Sequence, residues 1–211
     1  MRLSAATLLA FGLTLALPGC GALSALQGEP DRDVFELRPP SDVPKKCGRG
    51  RVTELIIELP KTRGTLDTER IMIRPSALQT QYLPDARWGD TVPVTLQTLL
   101  VRGFGVYDVF NHVGRAPLGS VGDYAIISEI NDFNAETQGK GAIVKLTVDA
   151  QMVREADASV VSRGHFATTA VSPSTKTEDL VVAFDQAGQQ LVAEMTGWGL
   201  KAVGVNAARC R

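Results

Sequence analysis

The sequence predicts an α+β fold, a single domain in which a mostly antiparallel sheet carries two amphipathic helices packed on one face. Three observations predict it. Alternating apolar and polar residues recur at about 123–134, 141–154 and 159–171, the pattern of an antiparallel meander with one dry and one wet face. Two other stretches repeat apolar residues at steps of three and four, the period of a helix with one buried stripe. The first third of the body is cut by prolines into short extended pieces.

Taken in order, Phe35-Glu36-Leu37 is the first extended piece, followed by a strand over 52–59. There Leu55, Ile57 and Leu59 are expected on one side and Glu54 and Glu58 on the other, with Pro60 as the stop. Arg70 to Arg74 and Leu78 to Leu83 are two more short strands, closed by Pro75 and Pro84. Asp90 or Thr91 can cap a helix carrying Val92, Leu96, Leu99 and Leu100, with Pro93 tolerated in its first turn and an end near Gly103 or Gly105. A looser stretch follows from Val106 to Val113.

In the meander, Ala142, Val144, Leu146, Val148, Ala150 and Met152 share a face opposite Lys145, Thr147, Asp149 and Gln151. The segments 138–141 and 155–158 are its hairpin turns. The closing helix opens after Pro173, with Thr175 and Glu178 spaced as a capping box, and carries Leu180, Phe184, Ala187, Leu191, Met195 and Trp198 as a core stripe.

The N-terminus has the three zones of a secretory signal: basic Arg2, an apolar stretch from Leu3 to Leu17, and small residues before Cys20. About 15 apolar residues diluted by Ser4, Thr7, Gly12 and Thr14 fall short of the roughly 20 that span a bilayer. The run Leu17-Pro18-Gly19-Cys20 resembles the lipobox of bacterial lipoproteins, with Pro18 as a departure. On that resemblance 1–19 is a lipoprotein signal peptide, Cys20 carries the N-terminal lipid, 20–33 is a lipidated tether, and 34–211 is the folded domain. Gly21, where an Asp would resemble an inner-membrane retention signal, favours the periplasmic face of the outer membrane over the inner membrane.

Removing 1–19 leaves 192 residues, enough for one domain with a substantial core, and moves the net charge from −1 to −2. Nucleic acid is not advertised as a partner, because the nearest thing to a basic run is Lys45, Lys46, Arg49 and Arg51 in a loop-like stretch. With Cys20 acylated, Cys47 and Cys210 remain as an even pair in an oxidising compartment. A disulfide between them is preferred to two free thiols, and a metal site to neither, since His112 and His165 give no ligand spacing.

Catalytic candidates are few. His112 lies near Asp108, and His165 lies mid-strand facing opposite to Phe166; each is expected as a surface or packed histidine. Nucleophile-elbow, zincin and phosphate-loop motifs are missing, and Gly103-Phe104-Gly105 lacks the third glycine and preceding strand of a dinucleotide site.

Several short motifs fall in a telling order: Leu59-Pro60, Leu66-Asp67, Ile71 to Arg74, and Tyr82 to Trp88 just before a Leu-rich helix. With Phe35-Glu36-Leu37 at the start and VVAFDQAGQQLVAEMTGW at the end, this order resembles the ABC-type transport auxiliary lipoproteins, partners of MCE-type lipid transporters. Thr65 stands where that family usually has an aromatic residue. The resemblance implies a non-enzymatic accessory component with no cofactor and no catalytic residues to carry over. Its implied partners are a periplasmic MCE subunit and the ABC permease complex, with the membrane reached through the lipid anchor and a homo-oligomer left open. Docking through a strand edge or loop is preferred to a lipid carrier with its own apolar cavity, because the one clear apolar sheet face is claimed by the helices.

Overall fold

The longest strand, over residues 124–138, becomes the spine of the sheet. The structure, a computed structural model, describes residues 32–41, 54–119 and 121–206. Its strands are β1 (Asp33–Phe35), β2 (Glu54–Ile57), β3 (Lys61–Thr62), β4 (Arg70–Ser76), β5 (Gln79–Trp88), β6 (His112–Gly114), β7 (Tyr124–Gln138), β8 (Gly141–Arg154) and β9 (Ser159–Ser172). The helices are α1 (Val92–Gly105) and α2 (Thr177–Ala202). All nine strands join one open, mixed sheet.

On one side of β7 the predicted meander forms, antiparallel from Tyr124↔Arg154 to Gln138↔Gly141 and then, between β8 and β9, from Ala142↔Ser172 to Arg154↔Ser159. The β7–β8 turn is two residues long, and Gly139 supplies its positive φ of 60° without a Cβ clash. The β8–β9 turn places Ala158 at φ 54°, where a side chain is disfavoured.

On its other side β7 takes three short strands in succession, all parallel: β2 at Leu55↔Tyr124, β3 at Lys61↔Glu129 and β4 at Ile73↔Ala135. Beyond them β5 runs antiparallel to β4, β1 parallel to β5, and β6 parallel to β2. The sheet is therefore mixed, with its long ladders antiparallel and its parallel pairings short.

Pro60 falls between β2 and β3, whereas Pro75 and Pro84, also expected as stops, lie inside strands. The β4–β5 register shifts between Ile73 and Ser76, around Pro75, and between Arg70 and Met72, facing Pro84 on β5. A bulged, irregular ladder asks for fewer N–H donors, so proline is tolerated there. Leu59, expected inward beside Leu55 and Ile57, is exposed because β2 ends at Ile57.

Both helices cover the same face. Phe184 of α2 stacks on Phe133 of β7 at 5.6 Å between ring centroids and meets Trp88 edge-on at 5.2 Å. Thr168 of β9 donates to the Ala187 carbonyl at 2.9 Å, and the Trp198 indole donates to Ser162 at 2.9 Å. The α1 helix is tied to the sheet by Gln97, whose amide donates to the Ile57 carbonyl at 2.8 Å. The core stripe of α2 is buried from Leu180 to Met195, with Trp198 half-buried. Thr91 is the N-cap residue of α1, without a side-chain capping bond. The capping box expected at Thr175 and Glu178 does not form: α2 is capped at Lys176, and Ser174 instead accepts from the Lys176 N–H and donates to Asp179.

Candidate functional site

Covering one face with helices leaves the opposite face of β7, β8 and β9 open. Alternation decides what it carries: Ile127 and Glu129 from β7, Asp149 and Gln151 from β8, Arg163 and His165 from β9, with Lys61 arriving on β3. These residues line an open concavity of about 540 Å³. A second hollow of about 330 Å³, lined by Glu58, Pro117, Val121, Ala125, Val153, Glu155 and Ala158, shares Ile127 with the first. The first forms a mostly charged groove, and the second, meeting it at Ile127, is more apolar toward Pro117 and Val121.

His165 and Asp149 are cross-strand partners in the groove, with Nδ1 and Oδ1 2.7 Å apart. Asn131 donates to the other oxygen of Asp149 at 2.6 Å. The His165 contact first, then the Asn131 amide, holds the Asp149 carboxyl below the usual carboxylate range. Among the described hydrogen bonds none brings a hydroxyl to His165. His112 sits on β6 with Nε2 3.3 Å from the Ala116 carbonyl. Since β2, β7 and β8 lie between β6 and β9, the two histidines are roughly 19 Å apart across the sheet at about 4.8 Å per strand. They do not converge on one site.

The entry of the chain into the body is held separately. Leu37 is buried against α2, where a Cβ on Gly188 would stand 3.5 Å from its side chain. Asp185 accepts from the Arg38 backbone N–H at 2.9 Å and its Nε at 3.1 Å, and from Gln189 at 2.8 Å. The first described residues are thus clamped to α2. Cys20, Cys47 and Cys210 lie outside the described residues, so lipid attachment and the disulfide stand as expectations. Among the described residues no helix is long and apolar enough to cross a membrane, and no group of three or more His, Cys, Asp or Glu could hold a metal ion.

Comparisons with known proteins agree with this architecture. The crystal structure of protein XCC0632 from Xanthomonas campestris, of the DUF330 family, superposes with a TM-score of 0.68 at 23% identity, covering 80% of this chain and 95% of that one. A second crystal structure, of an uncharacterized protein, gives 0.62 at 14% identity over 79% of this chain and 97% of the other. An uncharacterized protein of Bradyrhizobium diazoefficiens, bll6063, is 25% identical over 177 residues. That alignment covers 83% of this chain, which spans about half, 47%, of that relative's length. Residues 35–196 match the family described as the ABC-type transport auxiliary lipoprotein component. This is a family of transport components with an envelope, membrane-anchored setting, and the chain belongs to it.

Proposed function

We propose that the chain is a lipid-anchored accessory subunit of an MCE-type ABC transport system that moves phospholipid or another hydrophobic molecule across the cell envelope. It acts by docking and not by catalysis. The lipid on Cys20 holds it at the periplasmic face of the outer membrane, and its groove engages the periplasmic MCE subunit of the permease complex.

The observation that carries this reading is the concavity on the open sheet face, lined by charged side chains from four strands. Such a face suits a polar protein surface. A carrier would need an enclosed apolar chamber of several hundred Å³ for an acyl tail. Here the apolar face of the sheet is filled by Phe133, Phe184, Leu146 and Met152, each at most 2% exposed.

Substituting Cys20→Ser tests the anchoring half of the proposal. The variant should appear soluble in the periplasm, fold normally and fail to support envelope-barrier function. Retention in the outer-membrane fraction with an unchanged detergent requirement would refute it.

A further inference from the structure

Further along the same open face, beyond the groove, lies a cluster that docking does not explain. Asp132 has a carboxylate only 15% exposed, and three cations converge on it: Lys145 at 3.2 Å, Arg63 at 3.8 Å and Arg74 at 3.9 Å. One negative charge faces three positive ones. Gathering three cations around a single carboxylate is unfavourable unless another anion joins them.

The floor of the cluster has donors to spare. Asp132 is the cross-strand partner of Thr147, and Asn134 that of Lys145, so the four form a block on the face away from the helices. Asn134 is fully buried, and neither its amide nitrogen nor its amide oxygen has a hydrogen-bond partner. Thr147 Oγ1 and Arg74 Nε are likewise buried and unpartnered. A buried polar group without a partner is costly and marks a place where something else supplies one. Glu136, next along the same face, makes no ion pair with the cluster among the described contacts.

We propose that Arg63, Arg74 and Lys145, floored by Asn134 and Thr147, form a binding site for a phosphate-class oxyanion. Arg74 and Asn134 offer N–H donors and Thr147 an O–H, while the three cations supply charge. A tetrahedral anion with several acceptor oxygens uses all of them, which Asp132 alone does not. The source is either free phosphate or the phosphodiester of a lipid headgroup. The site does not depend on the docking reading.

The test uses the full lipidated chain in non-ionic detergent and phosphate-free buffer, followed by the side-chain amide resonance of Asn134. Inorganic phosphate should shift that resonance saturably, and Lys145→Gln or Arg63→Gln, each at a partly or largely exposed position, should weaken binding about tenfold while circular dichroism stays unchanged. Dihexanoyl phosphatidylglycerol that competes with phosphate at this resonance identifies the headgroup as the source; failure to compete identifies the free ion. The proposal is overturned if phosphate leaves Asn134 unmoved, if chloride shifts it equally, or if a glutamate-rich peptide binds there and phosphate does not.

Discussion

Two glycines on α2, two positions apart, should respond to the same substitution with opposite signs. A Cβ on Gly199 would stand 2.6 Å from Cζ and 2.8 Å from Cε1 of Phe104 on α1. That ring cannot swing away, being 0% exposed and edge-on to Phe110 at 6.1 Å. Overpacking of this kind costs about 1–3 kcal/mol, offset by less than about 1 kcal/mol of improved helix propensity in the last turn. Gly199→Ala should therefore destabilise by about 1–2 kcal/mol. Gly197 has nothing within 4 Å of its would-be Cβ, so Gly197→Ala should stabilise by about 0.5–1 kcal/mol. Urea unfolding at unchanged slope measures both, and each kcal/mol should move Tm by about 2–4 °C for a domain of this size. Gly199→Ala at or above the parent's stability, or both variants moving the same way, would refute the close α1–α2 crossing.

The Arg38–Asp185 clamp predicts a pH dependence. Burial pushes the Asp185 carboxyl up, but the bonds from Arg38 and Gln189 outweigh it and leave it below its ordinary value. Its contribution is therefore present above the unfolded value of about 3.9 and is lost as pH falls through the lower folded value, a slope that Asp185→Asn should flatten in urea titrations. The same variant should cost about 1–2 kcal/mol at neutral pH, discounted because Arg38 is exposed. Ala158→Gly should stabilise by about 1 kcal/mol, by removing the Cβ penalty at φ 54°, as read by thermal unfolding. Alkylation of the exported protein without reduction should leave Cys47 and Cys210 unmodified as a bridged pair, and two labels counted by mass spectrometry would refute the disulfide.

The sheet's meander was legible because its alternation is local. The strand expected over 141–154 is β8 at the same bounds, and the period of three and four placed the α2 stripe in the core. Less visible were the pairings that join distant segments. Nothing in Lys61-Thr62 or His112–Gly114 announces a strand, since each gains its partner only when β7 or β2 is already in place. The histidine–carboxylate pair of the groove was hidden by a bulge. Counting from Arg154↔Ser159 without irregularity sets Gly164 opposite Asp149, whereas the shift between Met152 and Val153 leaves Val161 unpaired and brings His165 there. Asn131 does the same on β7, and from there it reaches Asp149. The groove itself follows from register and sheet shape, neither of which a one-dimensional pattern carries.

The central claim, docking through the open sheet face, is tested most directly by site-specific photocrosslinking in living cells. A photoreactive residue at Gln151, exposed in the groove, is compared with one at Val182, which is 57% exposed on α2. The account predicts a protein adduct containing the periplasmic MCE subunit from position 151 and none from position 182. A lipid adduct in its place at 151, or no protein adduct there in cells whose envelope barrier is intact, would contradict it.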